Sequence, residues 1–564
     1  MTPHCFPAYH WQTAAPDRQT ALSLARDFGL PPLVAQLLMK RGVETAEQAE
    51  RYLNPSAARL SDPFNLTDMD KAVGRLRQAL ETQERVRVFG DFDVDGITST
   101  ALLVLALRRY GFNHVDYALP HRLVEGFGLD VEHVRQAKAD GVDLLVTVDN
   151  GIAALDAADA AQKQGVDLIV TDHHQLAERL PAACAVVNPQ REAPDHPSRD
   201  AAGAAVAFKL AWALTGEQAD LDLVALGVVA DVVPLRGENR DLVAAGLNEI
   251  NSNPRLGIQK LAEAASLRKG KRTSEQIAFQ LAPRINAGGR LGSGMEGLEL
   301  LLTECPTEAA RLARDLDTAN DERRGIEQAI LEDALAELNT TFKPDQRSIV
   351  LARRDWHPGV VGIVASRIQR QYYRPVILVA IGEDGSGRGS ARSVKNFDIA
   401  EALRGCQSHL ERHGGHEQAA GMTILEEQLE AFRESFESAA AQGLPDGDLS
   451  PTLAVDAVAS LSEIDLRLVR NIERLEPFGH GNPAPVFSTN GVSPVRNSMR
   501  ELRNNHMRLA VRGDDRIVNC IGFGMAGVLP QLQPETPIDI AFTPKLDTWR
   551  DEPMVQLQLK DVRP

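Results

Sequence analysis

Between about residues 75 and 235, short β-branched and aromatic runs alternate with alanine-rich stretches of helical period. This is the pattern of βαβ units around a parallel sheet. Residues 86–89, 143–148 and 167–171 read as buried strands, apolar on both faces because helices cover a parallel sheet from either side. Residues 152–164 read as one of the intervening helices. A further apolar run, 224–230, is read as a fourth strand of the same kind. Residues 21–28 and 33–38 predict two short helices interrupted by Pro31-Pro32, since proline lacks the amide that a helix interior needs.

Further along, Leu312, Leu316, Ala319, Ile326 and Ile330 recur at near-helical spacing within 306–338, which predicts one or two long amphipathic helices bridging two domains. The strand and helix alternation restarts at 348–351, 359–372 and 375–380. Beyond residue 450 the segments are short and alternate in polarity, as in Asp539-Ile540-Ala541-Phe542 and Val555-Gln556-Leu557-Gln558-Leu559, predicting a small β-barrel. A chain of 564 residues exceeds what one core organises. The expected division is a helical segment at 1–55, an α/β domain at 56–305, a connecting helix at 306–345, a second α/β domain at 346–445 and a barrel at 450–564.

The predicted strands of the first α/β domain share one more feature: each runs into acidic or imidazole side chains. Asp91, Asp93 and Asp95 follow the first strand and flank Gly96; Asp149-Asn150-Gly151, Asp172-His173-His174 and Asp231 follow the others. If the first strand continues to Asp95, its period of two sets the three carboxylates on one face; if it breaks sooner, they crowd one turn. Either way they repel one another unless a cation or a raised pKa relieves them, and oxygen clusters of this kind bind hard divalent ions. Imidazole beside carboxylate suits Mn²⁺ better than Ca²⁺. Taken singly, Asp149 or Asp231 reads better as a helix cap or turn residue, and His173-His174 equally well as a solvated loop. Four acidic strand ends in successive units are hard to obtain as unrelated caps. Ligands of open parallel sheets sit beyond such ends, so together they predict a metal-dependent active site.

Composition changes this picture little. The content is 43% hydrophobic and 25% charged, that of a globular chain. A net charge of −17 argues against a protein that coats duplex DNA. It leaves nucleic-acid chemistry open, because Arg367, Arg370, Arg374, Arg388, Arg392 and Lys395 form a local basic cluster suited to a single strand. The five cysteines are far apart, without zinc-ligand spacing, which predicts a reduced, cytoplasmic location. No apolar stretch is long enough to cross a bilayer, and the N-terminus lacks the basic flank and apolar core of a secretory signal. No Walker loop indicates ATP hydrolysis.

At the acidic strand ends the sequence resembles a known family. Asp172-His173-His174 is similar to the signature of the DHH phosphoesterases, and Gly90-Asp91-Phe92-Asp93-Val94-Asp95-Gly96 to their first motif, with Phe92 where tyrosine is common. Asp149-Asn150-Gly151 and Ala230-Asp231-Val232-Val233-Pro234 resemble the second and fourth motifs. Within that family, length and downstream motifs resemble the RecJ-type exonucleases. Pro283-Arg284-Ile285-Asn286-Ala287-Gly288-Gly289-Arg290 resembles their arginine-bearing connector. Gly389-Ser390-Ala391-Arg392-Ser393 and Gly414-Gly415-His416-Glu417-Gln418-Ala419-Ala420-Gly421 resemble the signatures of the DHH-associated domain. Pro477-Phe478-Gly479-His480-Gly481-Asn482-Pro483-Ala484-Pro485-Val486-Phe487 resembles the entry to an oligonucleotide-binding (OB) barrel. The likeness runs from about residue 55 to the end. It implies an α/β fold with a parallel-sheet DHH catalytic domain, a long connecting helix, an α/β DHH-associated domain and a C-terminal OB-type β-barrel.

The resemblance also implies an activity: single-stranded-DNA-specific degradation from 5′ to 3′, releasing 5′-mononucleotides by two-metal phosphodiester hydrolysis, in DNA recombination and repair. Two divalent ions, Mn²⁺ or Mg²⁺, are the implied cofactors. Asp149 is then the bridging ligand, and Asp93, Asp95, His173 and Asp231 complete the two shells. Asp91 and His174 are assigned supporting catalytic roles, His174 contacting phosphate or orienting water. Arg122, in Pro120-His121-Arg122-Leu123, matches the arginine near the 5′ phosphate; Arg290, Ser390 and Arg392 match the other substrate groups, with His416 beside them in its own motif. Arginine offers bidentate, charge-assisted bonds to phosphate, while the plain alternative for Arg122 is a surface ion pair with Glu125. Phe487, Phe523 and Trp549 are candidates for stacking on bases, although a barrel's aromatics are more often core. The implied partners are single-stranded DNA, a single-strand-binding protein and a helicase, with the chain a monomer away from any membrane.

Two other functions compete. A short-oligonucleotide phosphodiesterase or phosphatase of the same superfamily shares the metal set but lacks the barrel. A noncatalytic single-strand-binding scaffold is free to lose metal ligands, and this chain retains them all.

Overall fold

The Val86–Phe89 strand lies second from one edge of the molecule's first sheet, and its neighbours set the architecture of the site. Five parallel strands run in the order Val115–Ala118, Val86–Phe89, Leu144–Val148, Asp167–Thr171 and Ala185–Val187. Val88 pairs with Val146, and Val146 with Ile169, so apolar rows continue across both faces. The order of strands reverses between Val86–Phe89 and Leu144–Val148, and sheets of this kind hold ligands in the crevice beyond that reversal. In this computed structural model the described residues are 9–13, 18–122, 125–126, 128–267, 270–445, 449–547 and 552–564; Cys5 and Trp549 lie outside them. The chain divides into two units. The first joins Asn54–Arg323 with Glu476–Pro483, and the second joins Met1–Leu53, Arg324–Leu475 and Ala484–Pro564.

In the first unit the Val94–Tyr110 helix is apolar almost all round, because it packs against the sheet and against the Gly203–Thr215 and Leu221–Ala230 helices. Ile97, Leu102, Leu103 and Leu107 are wholly buried, each worth about 1.5–3 kcal/mol relative to exposure. Residues 224–230 are not the fourth strand that the pattern suggested; they belong to the Leu221–Ala230 helix. Leu223, Val224, Leu226 and Val228 are buried on every side, and an apolar run of that length has no period to separate strand from helix. Packing decided the matter. At Gly227 an added Cβ would lie 2.5 Å from Asp95 Oδ1 and 2.5 Å from Ala204 Cβ, a closeness that this helix permits. Pro306–Thr341 forms one helix of 36 residues.

The second unit contains a mixed five-stranded sheet in the order Arg412–His416, Ala419–Leu425, Ser386–Arg392, Val376–Ile381 and Ile349–Arg353. The last two are parallel and joined by the Val361–Tyr372 helix. Its glycine motifs are strand rather than turn: Gly387, Gly389 and Ala391 face the core while Arg388, Ser390 and Arg392 share the opposite face. The unit's other sheet closes into a barrel. Phe487–Pro494, Ile538–Asp547, Met554–Arg563, Arg516–Gly522 and His506–Gly513 pair in turn, and Ser493 opposite Arg512 completes the ring. Phe487 is core, its ring 6.4 Å from that of Phe542, so it offers no face to a base; Phe523 is exposed. The helices Arg18–Asp27 and Pro32–Lys40 stand where the pattern placed them. A strand that it did not predict, His10–Thr13, pairs in parallel with Thr452–Val455. Among the described residues no helix is long and apolar enough to cross a membrane.

Candidate metal centre

The first strand ends at Phe89, so Asp91, Asp93 and Asp95 crowd one turn. Close packing makes that turn: an added Cβ at Gly90 would lie 2.0 Å from Thr100 Oγ1, and one at Gly96 2.5 Å from the Asp91 nitrogen. Asp93 caps the Val94–Tyr110 helix, its Oδ1 accepting from the Gly96 amide at 3.1 Å, where the helix dipole favours negative charge. Asp95 is 1% exposed and accepts from the Gly203 and Ala204 amides at 2.6 and 2.9 Å. Those amides open the Gly203–Thr215 helix, so a second helix N-terminus holds the same carboxylate.

The neighbouring strand presents Asp149 in the left-handed region, at φ 61°, followed by Gly151 at φ 111°. The Asn150 side chain donates to the carbonyls of Phe89 and Val148 at 3.2 and 2.9 Å, tying the two strand ends together. Beyond the next strand, Asp172 organises the imidazoles. Its Oδ1 accepts from the amides of His173 and His174, its Oδ2 from the amide of Ile152. Oδ1 also lies 2.7 Å from His174 Nδ1. Asp231 enters from a different kind of element, the C-terminal cap of the Leu221–Ala230 helix.

His173 is the meeting point. Its Nε2 lies 3.1 Å from Asp149 Oδ1, 3.7 Å from Asp231 Oδ2 and 3.9 Å from Asp95 Oδ2. Two groups of donors small enough to hold an ion share it: Asp149, His173 and His174 in one, Asp95, His173 and Asp231 in the other. Neither includes Asp91 or Asp93.

Burial, with neighbouring carboxylates behind it, pushes Asp91 and Asp95 up to about 7 and Asp231 up to about 9. Asp149 is raised well above the usual carboxylate range for the same reasons. Burial and the nearby His174 push His173 down to about 4, so its ring is neutral. The Asp172 hydrogen bond outweighs burial at His174 and raises it to about 9. At Asp172 burial pulls upward, but the bonds from His174 and the backbone hold the carboxyl below its ordinary value.

These residues fit a divalent ion. Asp149 Oδ1 and His173 Nε2 are buried and, despite their 3.1 Å separation, not aligned as donor and acceptor; neither has a hydrogen-bond partner. Two orphaned lone-pair atoms facing each other among raised carboxylates are what a cation would satisfy. Mixed oxygen and imidazole donors suit Mn²⁺ and also accept Mg²⁺.

The remaining residues expected from the sequence fall in two places. Arg122 is half-buried in the first unit, its guanidinium 5.0 Å from the centre of the Phe92 ring; burial lowers its pKa against the pull of Asp91 and Asp93. Arg290 is on the Ala282–Leu291 helix, next to Gly289, where an added Cβ would lie 2.8 Å from the Phe92 carbonyl. Ser390 and Arg392 lie together in the second unit: an added Cβ at Gly362 would be 2.9 Å from Ser390 Oγ and 3.0 Å from the Arg392 guanidinium. Arg392 Nε donates to Ser366 Oγ at 3.1 Å. His416 is exposed at the end of its strand, opposite Ala419. Arg374, counted in the basic cluster, is not a lining residue; it is 8% exposed and donates to the carbonyls of Gln346, Tyr372 and Tyr373.

Sequence reasoning missed the groups that orient the ligands: the Gly203 and Ala204 amides, Asn150, and Asn188, whose amide donates to the His174 carbonyl at 3.0 Å. Only Asn150 carried a signal, its place beside Asp149.

Carboxylates and imidazoles converging at the reversal of a parallel sheet define a metal-dependent phosphoesterase. Comparison with known proteins narrows the class. The DHH family N-terminal domain matches residues 85–228, the DHHA1 domain 345–442 and the RecJ OB domain 455–561. The single-stranded-DNA-specific exonuclease RecJ of Bacillus subtilis is 37% identical over 556 residues, covering 98% of this chain and 70% of that protein. RecJ of Escherichia coli is 37% identical, covering 81% and 83%. The crystal structure of Thermus thermophilus RecJ in complex with Mn²⁺ superposes with a TM-score of 0.85 at 32% identity, covering 99% of this chain and 80% of that one. The chain belongs to the RecJ family of single-stranded-DNA-specific exonucleases.

Proposed function

We propose that this enzyme hydrolyses single-stranded DNA from its 5′ end, releasing mononucleotides, with two divalent ions held by Asp93, Asp95, Asp149, His173 and Asp231 and shared through Asp149. The observation that carries the reading is the facing pair of orphaned atoms on Asp149 and His173, with Asp95 and Asp231 within 4 Å of the same imidazole nitrogen. Bound Mn²⁺ or Mg²⁺ supplies Lewis-acid polarisation of the phosphate and lowers the pKa of the attacking water. The chain's own groups do the rest. Neutral His173 keeps a lone pair for coordination. His174, held by Asp172 and charged below about pH 9, supplies a positive N–H toward the phosphate. Asp91 accepts from the Phe92 amide at 2.7 Å and so shapes the turn that presents Asp93.

A phosphodiester site cannot by itself tell one end of a strand from the other. Arg122, above Phe92 and drawn toward Asp91 and Asp93, is proposed to lie near the 5′ phosphate, with Arg290 as a further substrate group. Ser390 and Arg392, packed on the first turn of the Val361–Tyr372 helix, are proposed to bind the 5′ phosphate, a group that helix N-termini favour; His416 extends that set. Supported by the family matches, the proposed division is a helical segment at 1–55, catalysis at 56–305, the connecting helix at 306–345, substrate binding at 346–445 and a nucleic-acid-binding barrel at 450–564. A role in recombination and repair, as a cytoplasmic monomer working with a single-strand-binding protein and a helicase, accords with such an activity.

The test is Mn²⁺-dependent digestion of single-stranded DNA labelled at either end, beside a blunt duplex. Immediate release of a 5′-labelled mononucleotide with the duplex spared is expected. Cleavage confined to oligomers of a few nucleotides would point to the short-oligonucleotide phosphodiesterase, and binding without cleavage to a scaffold.

A further inference from the structure

Residues Glu476–Pro483 depart from the sequence neighbours on both sides and pack as part of the first unit. Their contacts are specific. Arg240, 4% exposed, donates to the carbonyls of Glu476 and Pro477 at 2.7 and 3.3 Å. Ser274 Oγ donates to the Phe478 carbonyl at 2.6 Å. The segment folds on itself: Gly479 and Asn482 exchange backbone bonds at 2.9 and 3.2 Å. The buried Asn482 amide donates to the Pro477 carbonyl at 2.8 Å. Beside the ion pair of Lys271 with the Glu476 carboxylate at 3.1 Å, these contacts go to backbone carbonyls.

The segment is pressed against the turn that follows Asp231. The Leu235 amide donates to the His480 carbonyl at 2.7 Å. An added Cβ at Gly479 would lie 2.7 Å from Leu235 Cδ1. One at Gly481, whose φ is +71°, would lie 3.0 Å from Pro234 Cβ and 3.1 Å from Arg236 Nε. Next to Asp231 the turn is weakly held. Val232 sits at φ 62° and is 62% exposed, so no packing of its side chain fixes the bend just after Asp231. Residues 234–236 are held by the segment on one side, by the Asn239 amide, 3.1 Å from the Pro234 carbonyl, on the other, and by the Leu235 side chain, buried in the unit's core.

We propose that Glu476–Pro483 is a strap that positions Asp231, and that Gly481, Ser274 and Arg240 are positioning residues acting on one metal-binding carboxylate through the Pro234–Arg236 turn. The proposal rests on Asp231 being a metal ligand, as read above. A carboxylate ligand must be held within a few tenths of an ångström to coordinate well, and Asp231 is three residues from the strap's contact. The segment's contacts reach toward the donor cluster through the Pro234–Arg236 turn, the route by which it would act on metal affinity.

The experiment uses the full chain, stripped of metal, and titrates Mn²⁺ while electron paramagnetic resonance reports the free ion. Melting temperature and binding of labelled oligo(dT) in EDTA are measured in parallel. Asp231→Ala is the reference and is expected to lose one class of Mn²⁺ site. Gly481→Ala is expected to weaken that same class about 10–100-fold, the usual size of an outer-shell effect, with the other class and the oligo(dT) affinity unchanged. Ser274→Ala, which adds no strain, is expected to move the same class in the same direction by less, and it decides the matter should Gly481→Ala fail to fold. Mn²⁺ isotherms that superpose on the parent's, whatever the melting temperature, would reduce the strap to ordinary packing and overturn the proposal. An Asp231→Ala isotherm equal to the parent's would instead remove Asp231 from the ligand set and take the proposal's premise with it.

Discussion

His174 Nδ1 lies 2.7 Å from Asp172 Oδ1, and the same carboxylate gathers the amides of Ile152, His173 and His174. One buried charge therefore orients both imidazoles, keeping His174 protonated while its neighbour His173 is neutral. Adjacent residues with opposite protonation preferences are assigned different work by their surroundings alone.

Replacing that charge should separate the two roles. In Asp172→Asn the charge-assisted bond that lifts His174 to about 9 is lost, and burial pulls the ring down against only the weaker upward pull of Asp231 and Asp91. The alkaline limb of the pH–kcat profile is expected to move from near 9 toward neutrality, with kcat at pH 8 reduced about 10–100-fold. An alkaline limb left in place would show that His174 does not carry the essential proton.

Gly203→Ala tests how tightly the ligands are packed. The added Cβ would lie 2.6 Å from both Asp149 Cβ and Oδ1, and neither is the end of a flexible chain. Overpacking of this kind costs about 1–3 kcal/mol, a modest fall in melting temperature. Because the displaced atoms belong to the central ligand, activity is expected to fall at least about 100-fold, the penalty for roughly 1 Å of misplacement. Activity within a few-fold of the parent would mean that Asp149 is free to shift.

Metal removal should change how stability depends on pH. Asp91 and Asp95 titrate near 7 and Asp231 near 9 in the fold, against 3.8 ordinarily. The metal-free fold thus holds protons that the unfolded chain releases, and this contribution is complete below about pH 4 and lost as pH rises toward 9. Protein treated with EDTA is expected to melt at lower temperature at pH 8 than at pH 6. Mn²⁺ should raise the melting temperature more at pH 8, where fewer protons compete for the carboxylates. Calorimetry at the two pH values, with and without Mn²⁺, checks both signs.

Arg392→Ala should act on the substrate's end and leave the metals alone. Losing one charge-assisted hydrogen bond to phosphate, about 1.5–3 kcal/mol, predicts at least tenfold less preference for a 5′-phosphorylated strand over its unphosphorylated twin, with Mn²⁺ affinity as in the parent. Equal losses of kcat/KM on the two substrates would count against that role.

Much of the site is legible in the amino-acid sequence. Short β-branched, apolar runs carried Val86–Phe89, Leu144–Val148 and Asp167–Thr171, and each ended at the acidic residues that converge at the donor cluster. Asp231 was found through the wrong element: a run read as strand proved to be the Leu221–Ala230 helix, yet its C-terminal cap still reaches His173 Nε2 at 3.7 Å. A fully buried run hides its period, whereas the carboxylate after it does not. Arg374 failed for the converse reason, since charge in a sequence is visible but its burial against carbonyls is not.

Local chemistry thus settled which residues this protein uses: alternating apolar runs specify elements by periods that need no partner, and clustered carboxylates declare a cation by their mutual repulsion. Tertiary structure alone decided how those residues behave. The Gly203 and Ala204 amides that hold Asp95 come 108 and 109 positions later in the chain. The His480 carbonyl that pins Leu235 belongs to a segment far beyond it in sequence. Hydrogen bonds and burial between distant segments arise only when the chain closes on itself, and it is they that set the pKa of each group and the position of each ligand.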